Sequence, residues 1–327
     1  MIAQDPAPLA DFEQHRPRMF GIAYRMLGSA AEAEDAVQDA WLRWSSAGRE
    51  DVGHPGAWLA KAVTRLCLNR LASARARREE YPGPWLPEPV LTGDGALGPL
   101  ESAEQREGVS IALLVLLERL TPVERAVYVL REAFAYGHRE IAALLDLAEP
   151  NCRQLYRRAA GRVEAARAQS GRAESGRAES GRAESGRAAA ARPRFEPDPA
   201  QWHRLVEAFL TAAREGDLAR LESMLSADVR YVADGGGIVS AARRPILGRD
   251  KVARFLAGAL RRYGAGLPIS LAEVNGEPAL LFGAAVVLQV EVDDGLVRGV
   301  RSMANPEKLE FLQRQLSHSR GLSGHVR

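Results

Sequence analysis

A chain of 327 residues with a net charge of +2 is long enough for two or three domains with ordinary cores, and the placement of its charges matters more than their sum. Its two cysteines, Cys67 and Cys152, fall at apolar helical positions. That argues against a disulfide or a metal site and for buried thiols in a reducing compartment, and nothing in the composition asks for a cofactor. The N-terminus MIAQDPAPLADFEQHRP lacks the basic start and apolar core of a signal peptide, and the longest apolar run, Ala279 to Leu288, is too short to cross a bilayer. A cytoplasmic protein without a membrane segment is expected.

From Phe12 to Leu27, helical spacing of Phe20, Tyr24 and Leu27 predicts a helix that ends at Gly28. Ser29-Ala30-Ala31-Glu32 has the form of a capping box. The helix after it, AEAEDAVQDAWLRW, turns Val37, Ala40, Trp41 and Trp44 toward a core or a partner, with Glu32, Glu34, Asp35 and Asp39 on the remaining surface. His54-Pro55-Gly56 breaks the chain, and a long helix begins near Ala57. Between Trp58 and Arg78 it carries Lys61, Arg65, Arg70, Arg75, Arg77 and Arg78 and no acidic residue. Leu59, Val63 and Leu66 hold one side to a core, while Arg65 and Asn69 offer hydrogen bonds suited to base edges. An acid-free span of this length is a nucleic-acid footprint, although a solvated basic face would share its composition.

Tyr81-Pro82-Gly83-Pro84-Trp85-Leu86-Pro87-Glu88-Pro89 should be extended, and Glu101 to Leu120 returns to helix with Ile111, Leu114 and Leu117 as its stripe. Thr121-Pro122-Val123-Glu124 is a helix start with a Thr cap and Pro in the first turn; that helix is expected to end near Tyr136. A short helix with Ile141, Leu144 and Leu145 follows, then a tight turn at Leu147-Ala148 and a third helix from about Glu149. On the third helix Cys152, Leu155, Ala159 and Val163 share one face, and Arg153, Gln154, Arg157 and Arg158 the other. A helix-turn-helix whose last helix is apolar on one side and cationic on the other fits the major groove, where Arg and Gln pair with base edges.

With the acidic-aromatic helix Asp35-Ala36-Val37-Gln38-Asp39-Ala40-Trp41-Leu42-Arg43-Trp44, the Trp-initiated basic helix from Pro55-Gly56-Ala57-Trp58-Leu59, a linker and the helix-turn-helix, the span from Phe12 to Arg162 resembles an extracytoplasmic-function (ECF) sigma factor of bacterial RNA polymerase. The resemblance implies that Asp35, Gln38, Asp39 and Arg43 touch core RNA polymerase. It implies that Lys61, Arg65, Asn69 and Arg70 face the melted minus-ten strand of promoter DNA, and that Arg153, Gln154, Arg157 and Arg158 read the minus-thirty-five duplex. Two modules suit the task, because a groove-filling helix reads paired DNA whereas bases of an opened strand are captured one at a time.

Ser170 to Arg187 repeats five residues, SGRAE, without a large apolar side chain, and reads as a solvated tether. From Pro199 the composition is globular again. Helices are predicted over Gln201–Arg214, Leu218–Leu225 and Lys251–Arg262, a strand over Asp228–Ala233, one long strand over Leu280–Val292, a turn at Asp294-Gly295, and a returning strand over Leu296–Met303. Helices followed by a curved antiparallel sheet describe an α+β cone, similar to the SnoaL-like domains, which enclose a pocket. Three motifs, Trp85-Leu86-Pro87-Glu88-Pro89, Asp234-Gly235-Gly236-Gly237 and Asn305-Pro306-Glu307-Lys308-Leu309, resemble those of the SigJ-like group, the sigma-factor branch with a fused SnoaL-type domain. They are the expected regulatory contacts. That branch places a basic residue directly after the glycines, where this chain has Ile238, with Arg243 and Arg244 close downstream.

The expected organisation is multidomain. Residues 1–80 form an all-α region 2, 81–107 a linker, 108–167 an all-α region 4, 168–198 the tether, 199–316 the SnoaL-like cone and 317–327 a polar tail. The leading function is a sigma factor that binds core polymerase and directs initiation under control of its own cone. A one-component duplex-DNA regulator with a small ligand in the cone is the alternative. A pocket enzyme is disfavoured: SnoaL-type enzymes use Asp or His in the pocket, and here His203 is on the first helix, His318 and His325 lie in the tail, and Asp234 is a lone carboxylate.

Overall fold

The computed structural model describes residues 7–47, 52–92, 97, 108–172, 199–263 and 267–323. The helix expected over residues 101–107, the repeat from residue 173 onward and His325 lie outside the described residues, as do the side chains of Arg75, Arg77, Arg78 and His203.

Three helices open the fold: α1 (Ala7–Leu27), α2 (Ala30–Ser46) and α3 (Pro55–Glu79). α1 stops where Gly28 takes a φ of +66° and its N–H reaches Tyr24 O at 2.7 Å. A side chain at Gly28 would strain the backbone, and its Cβ would stand 2.8 Å from the Trp85 ring. Val37, Ala40 and Trp44 are buried as their spacing predicts, and the Trp41 ring packs 4.9 Å from that of Phe12.

Among the described residues four helices follow: α4 (Ile111–Leu117), α5 (Pro122–Glu132), α6 (His138–Leu145) and α7 (Glu149–Arg172). Thr121 and Glu124 make both halves of the predicted capping box. α5 ends earlier than its sequence suggests, because the chain turns through Ala135 at a φ of +55° and the Tyr136 N–H reaches back to Leu130 O at 3.1 Å. α7 runs to Arg172, so the first residues of the repeat continue this helix.

These seven helices share one apolar cluster, from Phe12, Leu59 and Leu71 on one side to Leu113, Val127, Leu144 and Val163 on the other. Two buried arginines tie the halves together. Arg125 Nη1 donates to Met26 O at 2.7 Å and to Glu118 Oε1 at 2.8 Å. Arg25 Nε donates to Gly108 O at 3.1 Å, with its guanidinium 5.1 Å from the Phe134 ring centre. Burial lowers the pKa of both to about 10, well above neutral pH, so both remain charged.

The cone begins with α8 (Pro199–Glu215) and α9 (Leu218–Met224), continues through a six-stranded sheet and α10 (Arg249–Tyr263), and ends with α11 (Pro306–Ser323). The strands are β1 (Leu225–Asp234), β2 (Ile246–Leu247), β3 (Ile269–Val274), β4 (Glu277–Phe282), β5 (Val286–Asp293) and β6 (Leu296–Met303), in the order β2-β1-β6-β5-β4-β3. β1 and β6 are parallel, with Tyr231 opposite Val300; the other pairings are antiparallel. The single long strand expected over Leu280–Val292 is corrected to a hairpin, since Gly283 takes a φ of +58° and reverses the chain. Alternation along these strands sends Leu280, Phe282, Leu288, Val290 and Val300 to the concave face. There they pack with Trp202, Phe209, Tyr231 and Leu256. Ala279, Leu281, Val287 and Met303 face the other way, onto Leu86, Leu91, Ile111, Leu309 and Leu312. The convex face of the cone thus carries the linker.

Candidate docking, nucleic-acid and interdomain sites

The extended linker is held from both sides. Asp234, at the end of β1, is 1 % exposed. It accepts from the Tyr81 hydroxyl at 2.5 Å, from the Leu86 N–H at 2.9 Å and from Lys308 Nζ at 2.7 Å. The same ammonium donates to Leu86 O at 2.7 Å and lies 4.5 and 4.3 Å from the ring centres of Tyr81 and Trp85. A buried carboxylate is tolerable only when so fully answered. Burial first, and then Asp234, push the Tyr81 phenol above its ordinary value. Asn305 caps α11 by accepting from the Glu307 N–H at 3.1 Å, and its Nδ2 donates to the Tyr81 oxygen at 2.9 Å. Gly236, at a φ of +63°, lies so close to the Asn305 amide that a Cβ would collide with it. Gly235 is in the same tight turn, with Ile238 N–H donating to its carbonyl at 3.0 Å, and Gly237 lies against Pro82. Pro306 and Glu307 are exposed, whereas Leu309 is buried beside Leu86. Ile238, which stands where the branch carries a basic residue, is 57 % exposed.

Toward the bundle, the Glu88 carboxylate accepts from Ser29 Oγ at 2.6 Å and from the Ala30 and Ala31 N–H groups at 2.8 and 3.1 Å. The linker therefore supplies the first turn of α2 with acceptors that a helix cannot provide for itself. Burial raises the Glu88 pKa, against the pull of those donors and of Lys308. Pro87 packs toward Gly28, and Pro87 and Pro89 line a small recess with Ile111, Gln289 and Arg301. Beyond them, Val90, Leu91 and Thr92 donate backbone N–H groups to Asn275 Oδ1, Gln315 Oε1 and Glu273 O at 3.0, 2.9 and 3.0 Å. Asn275 Nδ2 also donates to Tyr24 Oη at 2.6 Å and Val109 O at 2.8 Å. Trp85 to Pro89, Asp234 to Gly237 and Asn305 to Leu309 thus converge at one place.

The residues expected at polymerase and at DNA lie on α2, α3 and α7. Asp35, Gln38 and Arg43 are exposed and Asp39 half-buried on the outer side of α2. Arg70 donates to Asp39 at 2.7 Å and lies 3.6 Å from Asp35, which raises its pKa despite burial. Asn69 is exposed. Lys61 Nζ donates to Asp146 Oδ1 at 2.8 Å and to Ala143 O at 3.1 Å, and Arg65 pairs with the same carboxylate. On α7, Arg153, Gln154, Arg157 and Arg158 are all exposed, opposite the buried Cys152, Leu155, Ala159 and Val163. Arg153 pairs with Glu149 at 2.5 Å, and Arg158 lies 3.9 Å from Glu124.

Sequence reasoning missed Tyr24, Tyr81, Asn275, Gln315 and Asp146. Tyr81 was legible as an aromatic beside the linker motif; the others carry no local signal, since each acts on residues more than 60 positions away. The long cleft of about 390 Å³ lies elsewhere, between α1, α2 and α11, among Glu13, Phe20, Glu34, Phe311, Arg314 and His318. Among the described residues no helix is long and apolar enough to cross a membrane, and no cluster of His, Cys, Asp and Glu is arranged for a metal ion.

The Sigma-70 region 2 family matches residues 12–77, and the Sigma-70 region 4 family residues 110–163. The chain is 38% identical to the ECF RNA polymerase sigma factor SigJ of Mycobacterium tuberculosis over 313 residues, covering 92% of each. It is 29% identical to a probable ECF RNA polymerase sigma factor, SigI, of the same organism, over 97% of this chain and 99% of the relative. The crystal structure of the Mycobacterium tuberculosis extracytoplasmic function sigma factor SigJ superposes with a TM-score of 0.67 at 34% identity, over 92% of this chain and 97% of that one. Two sigma-type helical modules, a cone joined to them through the linker, and identity of this extent over almost the whole length make this chain a member of the extracytoplasmic-function RNA polymerase sigma factors.

Proposed function

We propose that the sigma-factor activity of this chain is divided as follows. Asp35, Gln38, Asp39 and Arg43 on α2 dock on core RNA polymerase. Lys61, Arg65, Asn69 and Arg70 on α3 hold the minus-ten strand, and Arg153, Gln154, Arg157 and Arg158 on α7 read the minus-thirty-five duplex. The cone acts as a built-in regulator through the linker. The observation that carries the regulatory part is the Lys308–Asp234 pair closed over Leu86, buried and satisfied on every side. A passive appendage would have no need of a buried charge pair in the connection it makes.

Because Arg70 shares its charge with Asp35 and Asp39, docking of polymerase on those carboxylates would leave the arginine for DNA. A soluble, cytoplasmic and non-enzymatic role fits this reading: Asp234, the lone carboxylate considered as a base, is spent on Tyr81, Leu86 and Lys308. A small ligand in the cone would have to displace the packing of Trp202, Phe209 and Tyr231 on the concave face, and the reading does not depend on one.

Run-off transcription with purified core polymerase on a promoter library tests the proposal. The full chain is expected to direct initiation, and Asp35→Lys with Asp39→Lys to abolish co-purification of polymerase by replacing attraction with like-charge repulsion. Undiminished co-purification by the double variant would remove α2 from the docking surface. Duplex binding without initiation would favour the one-component regulator.

A further inference from the structure

Asp146 stands where α6 ends. It takes a φ of +54°, and the next N–H, of Leu147, reaches Ala142 O at 2.8 Å, a left-handed helix stop at which Gly or Asn is the usual residue. Its carboxylate does not turn to its own helix. It faces α3, where Lys61 and Arg65 both bind it, and Lys61 also binds the carbonyl of Ala143 one turn earlier. The C-terminal end of α6 therefore presents to α3 what a nucleic-acid backbone would present: one full negative charge, an adjacent carbonyl oxygen, and the negative end of a helix dipole.

We propose that Asp146 is an internal stand-in for a promoter phosphate, a clamp that occupies Lys61 and Arg65 on the strand-binding face of α3 until DNA displaces it. The inference rests on the assignment of Lys61 and Arg65 to the minus-ten strand. It adds what holds them in the free chain, and the device sits within the sigma modules, apart from the linker contacts of the cone. Its strength suits a switch. Lys61, Arg65 and Asp146 are partly exposed, with side chains 34, 49 and 56 % accessible, so each pair is weak enough for a phosphate to replace. The shared apolar cluster and the buried Arg125 set the closed docking of the helices; the clamp sets what the cations on α3 meet while it lasts. Opening it frees two cations at once, and each can then release counterions from DNA.

The test is fluorescence anisotropy of a labelled single-stranded minus-ten oligonucleotide, with the full chain. Asp146→Asn removes the charge and keeps a residue that tolerates the left-handed turn. Binding should tighten by about two- to tenfold, the range expected for losing two exposed pairs. In a Lys61→Ala, Arg65→Ala background the same substitution should change nothing. Unchanged affinity on the wild-type background overturns the clamp, and so does equal tightening on both backgrounds, which would reflect net charge alone. If Asp146→Asn lowers the thermal midpoint, Asp146→Gly, the residue that favours this turn, replaces it with the same two outcomes. Wild-type initiation with core polymerase, run in parallel, reports on the sigma-factor assignment: loss of initiation would sink that assignment, whereas initiation with no Asp146 effect sinks only the clamp.

Discussion

At the scale of single residues, the junction rests on one ion pair that solvent hardly reaches. Removing one member of such a pair strands the other, and the penalty of an unanswered buried charge exceeds what the pair contributes while intact. Lys308→Met would leave the Asp234 carboxylate with the Tyr81 hydroxyl and the Leu86 and Gly236 N–H groups but no countercharge. About 3–5 kcal/mol of destabilisation is expected. Amide hydrogen exchange reads it directly, because the N–H groups of Leu86, Val90, Leu91 and Thr92 all donate to the cone. Their protection should collapse in Lys308→Met, while Val127 and Leu130 in the α5 core keep theirs. Adding Asp234→Asn should restore part of the loss, since the double variant buries no lone charge. Unchanged exchange at these four amides would show that the pair does not hold the linker.

At the scale of elements, what was legible followed from local chemistry, and what was not depended on partners far away in sequence. Thr121 and Glu124 satisfy each other within one turn, so α5 was readable at its start. Its end was not, because Ala135 holds a positive φ without the glycine that would announce it. β3 was missed for a related reason: Ser270, Leu271 and Glu273 are exposed on an edge strand, and the alternation that betrays a half-buried strand is absent. The strand pair over residues 277–293 looked like one strand because its turn, Gly283-Ala284-Ala285, is apolar and small. The three linker and cone motifs were legible only through family resemblance; neither Asp234 nor Lys308 advertises its partner 74 residues away. α7 was the most readable element, since its two faces separate by periodicity alone. Arg153 is exposed and, among the described residues, pairs across one turn with Glu149, so Arg153→Ala should leave folding intact. It should cost about 1–3 kcal/mol of discrimination at one upstream base pair if the guanidinium reads a base edge. Competition binding with point-substituted promoters checks this. A uniform loss over all sequences would reassign Arg153 to a phosphate, and no loss would remove it from the interface.

At the scale of the whole molecule, the closed arrangement and the promoter are mismatched in length. Minus-ten and minus-thirty-five elements lie about 25 base pairs apart, roughly 85 Å along the duplex at 3.4 Å per step. Arg158 is nine residues beyond Glu149, the first residue of α7, about 14 Å of helix, and Asp146, just before that helix, touches α3. On the proposed assignment the two DNA-contact faces therefore lie within a few tens of ångströms of each other, and promoter engagement would require the two halves of the shared core to part. α11 bears on that opening through its C-terminal half. Phe311 stacks on Phe20 at 5.5 Å, Arg314 pairs with Glu34 beside the proposed docking carboxylates, and Gln315 bonds both the N–H and the carbonyl of Leu91. A chain ending after Leu312 loses Arg314 and Gln315 but keeps Lys308, Leu309 and Phe311. It should initiate transcription more readily than the full chain, because α2 is uncovered while the linker stays seated. Ending after Met303 removes Lys308 and Asn305 and leaves Asp234 buried without a countercharge, so the cone itself should loosen. Ending after Arg187 exposes Leu86, Leu91 and Ile111, the apolar surface that the cone covers, and activity should fall below that of the full chain. Run-off transcription with the three truncations ranks them. Equal activity from all three would leave the cone without a regulatory part in this molecule.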